Sequence, residues 1–156
     1  MALTVGIVPG IAVFLLDLGK GVIAAIVGTA LGGATGGEMT ALAAAVGQVA
    51  PVFASFRGGK GVATTLGGYF GLDPVFALLG IASWAAGVLL INRFIVATVS
   101  AIIALAVIAV LAERHVLFAA GALFLTLIAH RHDLAAWKRG EMPTIREALR
   151  DNRRAR

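Results

Sequence analysis

Long apolar runs broken by short polar clumps fill this chain. The runs occupy roughly residues 5–31, 40–56, 75–91, 94–112 and 115–129, and an α-helix needs about 20 such residues to cross a bilayer. Gly61 to Leu72 is too short for a standard span and ends at Asp73-Pro74, a helix-start signal, so it is expected to be a half-helix crossing part of the bilayer. The closing stretch, His130 to Arg156, is polar and is expected to be interfacial, with a short amphipathic helix from Thr144 on. No repeat or linker divides the chain. The pattern predicts one all-α domain over residues 1–156: a polytopic transmembrane bundle of about five full spans plus the half-helix, with 130–156 as a cytoplasmic or interfacial tail.

Composition sharpens this. Of 156 residues 60% are hydrophobic and 13% charged, and the mean hydropathy is +0.96, where soluble domains run about 45–50% and about 25%. That excludes a large extramembrane domain. The absence of cysteine excludes disulfides, thiolate metal sites and a thiol nucleophile. The opening MALTVGIVPGIAVFLL has no basic region before its apolar stretch, unlike a cleaved signal peptide.

The formal charge of +5 does not point to nucleic acid, because the basic residues gather at helix ends and in the tail without interleaved aromatics. They suit a membrane lipid surface instead. If the half-helix counts as a crossing, all but two of the 13 basic residues, Lys20 and Arg114, fall on one side. The positive-inside rule then puts the glycine-rich stretch and both termini in the cytoplasm. If it does not cross, that bias is lost.

Three polar clusters carry candidate chemistry. Asp17 and Lys20 lie three residues apart on one face of an apolar helix, where an ionisable group costs roughly 2.5–3.5 kcal/mol. They are a structural ion pair or the support of a polar site. Next comes RGGKG, Arg57 to Gly61, with Thr64 just beyond. Successive glycine amides beside a guanidinium and an ammonium suit a phosphate or other oxyanion; the alternative is a headgroup-facing turn. It is not a Walker A loop, since Ala54 and Gly61 occupy the places of the required glycine and Ser/Thr.

The third cluster is HRHDLAAWKRGEM. His130 could act as acid, base or donor, Asp133 could orient it, and the alternative is a solvated helix end. The spacing of His130 and His132 does not put two imidazoles on one helix face, so no metal site is expected.

FRGGKGVATTLG, Phe56 to Gly67, preceded by PVF, resembles the second signature of the bacterial acyl-phosphate:glycerol-3-phosphate acyltransferases, integral membrane enzymes of phospholipid synthesis. FLLDLGKG, Phe14 to Gly21, is similar to that family's long helix after its first signature, and HRHDLAAWKRGEMP to its third. The resemblance covers nearly the whole chain in order and spacing. It implies a multi-pass protein of the bacterial plasma membrane that transfers a fatty acyl group from acyl phosphate to glycerol 3-phosphate, giving lysophosphatidic acid. No cofactor is implied, because acyl phosphate is already activated.

On this resemblance His130, Asp133 and Glu141 are the candidate catalytic residues. Arg57, Gly58, Gly59, Lys60, Gly61, Thr64 and Arg131 hold substrate phosphate, and Asp17, Lys20 and Gln48 support them. The family's first signature, a serine-glycine-asparagine loop, is expected before the first helix together with one more span, so the chain reads as N-terminally shortened. It also diverges: Gln48 stands where the family has a histidine, Asp133 where it has an asparagine, and Met142 at its glutamate position. The alternative function is a non-catalytic membrane scaffold or headgroup-binding relative, and a small transporter is a weaker third reading. Oligomeric state is not legible.

Overall fold

The computed structural model describes residues 7–54, 58–142, 144 and 147. The segment Ile7–Val49 is two helices that meet in a reversal at Gly32 and Gly33, whose backbones leave helical geometry, Gly33 at φ 64°. Only glycine enters that region without strain. Two side-chain contacts prove the reversal. Thr40 Oγ1 donates to the Ala24 carbonyl at 2.7 Å and Gln48 Nε2 to Asp17 Oδ2 at 2.8 Å, across separations that a straight helix would hold tens of ångströms apart. We therefore treat residues 7–31 as α1 and 34–49 as α2, an antiparallel pair.

α2 stops at Val49, earlier than the apolar run to residue 56 suggested, because Pro51 biases Ala50 away from helix and has no N–H to give. A single 3₁₀ turn, Val52–Ala54, follows. The expected half-helix is α3, Val62–Leu72; eleven residues rise roughly 16 Å, about half a hydrocarbon core. It lies against α1 at backbone distance. A Cβ on Gly67 would fall on the Leu18 carbonyl, and one on Gly21 among backbone atoms of Thr64, Gly67 and Gly68.

Asp73 then ends α3 and starts α4, Pro74–Ile91, its carboxylate accepting from the Val75 amide at 2.9 Å with Pro74 in the first turn. The helix-start signal read from Asp73-Pro74 is the observed cap. α5 is Phe94–Leu111, α6 Val116–Ala129 and α7 Arg131–Lys138. A short polar helix that the sequence did not place, α7, begins at Arg131, right after the last apolar helix. Of the segment from Thr144, where a helix was expected, all but residues 144 and 147 lie outside the described residues.

The described residues form only helices. Val8–Val49, Pro74–Ile91 and Phe94–Leu111 are long and apolar enough to cross a bilayer, the first counted through its kink, and Val116–Ala129 is a shorter apolar helix. Large side chains such as Leu31, Leu89, Leu90 and Leu111 are mostly exposed, as a lipid-facing surface requires. The core is small: Tyr69, Phe76, Phe118 and Leu105, with alanines between the helices.

At one end of the bundle Glu38, Asp73, Arg114 and His115 close on one another. Asp73 pairs with Arg114 at 2.8 Å, and Glu38 takes the Phe118 amide at 3.1 Å and faces His115 Nδ1 at 3.3 Å. The glycine-rich turn lies at the other end.

Candidate active site

The end of α2 shapes the glycine-rich turn. The Gly59 N–H donates to the Gln48 carbonyl at 3.0 Å, folding the turn over the helix terminus. Gly58 has no room for a side chain, since a Cβ would meet the Gln48 and Val49 carbonyls and the Pro51 ring. Gly61, at φ 72°, then starts α3 with no side-chain cap. The first amides of α3 are therefore available to an outside acceptor, on the positive end of the helix dipole.

Val62, Ala63 and Thr64 line a cavity of about 270 Å³ together with Gly59, Lys60, Asp17 and Gln48. The Thr64 hydroxyl is buried and has no hydrogen-bond partner among the described residues. Leaving such a group unpaired costs about 1–3 kcal/mol, which a bound anion would recover.

Asp17, Lys20 and Gln48 satisfy one another. Lys20 Nζ donates to Asp17 Oδ1 at 2.9 Å and to Gln48 Oε1 at 3.4 Å, while Gln48 Nε2 donates to Asp17 Oδ2 at 2.8 Å. The pair is a structural ion pair that joins α1 to α2 through Gln48, and its carboxylate borders the cavity.

From the far end of the chain, α7 brings Asp133 to Lys60. Lys60 Nζ donates to Asp133 Oδ2 at 2.5 Å, with the lysine about half exposed. One turn earlier His130 is buried at 1% exposure, its Nδ1 3.0 Å from the Thr126 carbonyl. A carbonyl can only accept, so Nδ1 carries the proton and Nε2 of the neutral ring is the free base. Burial pushes the imidazole below its ordinary value; the Thr126 carbonyl opposes this, Lys60 adds to it and Asp133 opposes it.

The remaining predicted residues lie elsewhere. Arg131 is exposed and donates to the Ile128 carbonyl at 3.2 Å, and exposed Glu141 pairs with Arg139 at 2.9 Å. Neither lines the cavity. Arg57 lies outside the described residues. The described residues contain no cluster of three or more potential metal ligands.

Sequence reasoning missed two features. Arg93 Nη1 donates to the Met142 carbonyl at 2.5 Å, fastening the tail to the start of α5; a lone arginine at a helix start was the only signal. The second is an apolar groove of about 440 Å³ running along α3, α4 and α5, which shares Phe14, Val62 and Phe94 with the polar cavity. Its lining is ordinary helix-core residues, and nothing in the sequence separates a groove wall from a packed interface.

Residues 1–140 match the family described as glycerol-3-phosphate acyltransferase. The chain belongs to this family. A glycerol-3-phosphate acyltransferase from Synechococcus elongatus is 33% identical over 161 residues, covering 93% of this chain and 75% of the relative. Two crystal structures of PlsY (YgiH), an integral membrane glycerol 3-phosphate acyltransferase, have the same fold at 31% identity. The glycerol 3-phosphate form superposes with a TM-score of 0.85 over 92% of this chain and 74% of that one. The lysophosphatidic acid form gives 0.86 over 95% and 79%. The glycerol-3-phosphate acyltransferase fold thus gathers Lys60, Asp133 and His130 at one end of a membrane-embedded bundle; Lys60 lines the cavity, Asp133 reaches it through its pair with Lys60, and His130 lies buried behind.

Proposed function

We propose that the protein transfers a fatty acyl group from acyl phosphate to the sn-1 hydroxyl of glycerol 3-phosphate at the cytoplasmic face of the membrane, releasing lysophosphatidic acid and inorganic phosphate. The observation that carries this reading is the shared wall: a cavity bordered by a lysine and free helix amides opens beside an apolar groove through Phe14, Val62 and Phe94. A phosphate and a hydrocarbon tail can be held side by side there.

The reaction needs little from the protein beyond that. The acceptor hydroxyl attacks the acyl carbonyl, the carbon–oxygen bond to the phosphate breaks, and phosphate leaves. No covalent enzyme intermediate or metal is required, so rate comes from holding the two reactants in line and from stabilising negative charge. Lys60, the first amides of α3 and the Thr64 hydroxyl hold phosphate; Gly58, Gly59 and Gly61 shape the turn that presents them, and Arg57, outside the described residues, is the neighbouring charge in sequence. Nε2 of His130 accepts the hydroxyl proton, and Asp133 holds Lys60 until phosphate shares or displaces it. The cytoplasmic assignment rests on the placement of basic residues.

Purified protein in lipid, given acyl phosphate and glycerol 3-phosphate, is expected to release phosphate and form lysophosphatidic acid detectable by mass spectrometry. Lys60→Ala removes a charge-assisted contact of about 1.5–3 kcal/mol, so KM for glycerol 3-phosphate should rise roughly ten- to hundredfold. Absence of turnover at high protein concentration would defeat the proposal and leave a headgroup-binding scaffold; an unchanged KM in the variant would remove Lys60 from the phosphate site.

A further inference from the structure

The apolar groove has an ordered depth. α3 and α5 both start at the polar cavity and run away from it, each presenting one helix face to the groove. Along α3 the row is Val62, Leu66, Tyr69, and along α5 it is Phe94, Thr98, Leu105, the spacing that puts residues on one helix face. Phe94 to Leu105 is eleven residues, or roughly 16 Å of descent. The upper residues belong to the polar cavity as well; the lowest belong to the core. Leu105 is 2% exposed and shares the buried core with Tyr69, Phe76 and Phe118.

At that depth α4 contributes a glycine. A Cβ on Gly80 would stand 2.9 Å from Leu105 Cδ1, so the missing side chain is what lets Leu105 seat against α4, where both residues line the groove. We infer that Leu105, seated on Gly80, is the floor of an acyl-tail site and sets the longest tail the enzyme accepts. This rests on the acyltransferase reading above. The occupant is the donor's hydrocarbon tail, because the groove joins the phosphate cavity at its top and is lined almost wholly by carbon.

Two substitutions move the floor in opposite directions. Leu105→Ala removes it and deepens the groove. Gly80→Ala places a methyl where only the flexible end of Leu105 gives way, and with packed core below, Leu105 rises into the groove. In a hydrophobic pocket one methylene is worth about tenfold or more in kcat/KM.

The test is the full chain in lipid, turning over a saturated series from lauroyl to stearoyl phosphate. The ratio of kcat/KM for stearoyl to lauroyl phosphate is expected to rise about tenfold in Leu105→Ala and to fall about tenfold in Gly80→Ala. Because the shifts have opposite signs, general destabilisation cannot mimic both. Ratios unchanged in turning-over variants would overturn the inference. If the wild-type chain turned over no acyl phosphate, the acyltransferase reading would fall instead. The groove would then be judged by quenching of Trp84, which lines it, with acyl phosphates brominated at the tail end in a Trp137→Phe background. Quenching that weakens with tail length in Gly80→Ala supports the floor, and length-independent quenching refutes it.

Discussion

Asp133 is the residue whose chemistry most departs from expectation for an anion site, since its carboxylate already occupies the Lys60 ammonium. An incoming phosphate must share or displace it. Both partners are partly exposed, so the pair is worth only about 0.2–1 kcal/mol, and Asp133→Asn should lower KM for glycerol 3-phosphate roughly two- to fivefold. A large loss of kcat in that variant would give the carboxylate a part in the chemistry itself. His130, three residues away, sets the pH dependence. Its value is pushed down first by burial, so as pH falls the unfolded chain takes up the proton before the folded one does. The stabilisation from the neutral ring is whole above about pH 6.5, the ordinary imidazole value, and is lost as pH drops below it. The acid limb of kcat/KM is expected below about 6.5 as well; a limb above that value would deny His130 the role of base. Neither the burial of His130 nor the Lys60–Asp133 pair is visible in the sequence, because both depend on α7 folding back over the glycine-rich turn from 73 residues away.

Between residues and fold stand the helix contacts, where the glycines divide into two classes that composition cannot tell apart. Gly67 faces the α1 backbone at Leu18, while Gly19, on the same pair of helices, has open space for 4 Å around where a Cβ would stand. Gly67→Ala must push two backbones apart and is expected to destabilise by about 1–3 kcal/mol. Gly19→Ala should stabilise by up to about 1 kcal/mol through helix propensity. Thermal unfolding in one detergent separates them, and equal shifts would mean that α1 and α3 do not pack at backbone distance. The sequence did reveal the elements themselves: apolar runs located α4, α5 and α6, and Asp73-Pro74 marked a real cap. The separate runs over 5–31 and 40–56 also anticipated the break between α1 and α2; what they did not show is that the reversal falls at Gly32 and Gly33, because those glycines read no differently from Gly36 and Gly37, which stay helical.

Taken whole, the molecule has two unlike ends, and the short α3 is what separates them. The glycine-rich turn, Lys60, His130 and Asp133 share one end, where Arg93 also holds the Met142 carbonyl. Asp73, Glu38, Arg114 and His115 form the ionic knot at the other. An eleven-residue helix achieves this only because it is sheltered by protein on the α1 side, where backbone lies against backbone. The charge asymmetry in the sequence depended on α3 counting as a crossing, and the position of Arg114 beside Asp73, at the far end of α3 from Lys60, is the arrangement that asymmetry required. Sidedness is therefore testable without disturbing the site. The chain has no cysteine, so single cysteines report cleanly. His132→Cys, exposed in the first turn of α7, is expected to react with a membrane-impermeant maleimide only in inside-out vesicles. Ala112→Cys, exposed at the far turn between α5 and α6, should react only in right-side-out ones. Labelling of both positions from the same side would mean that α3 does not carry the chain from one face to the other, and the positive-inside orientation would fall with it.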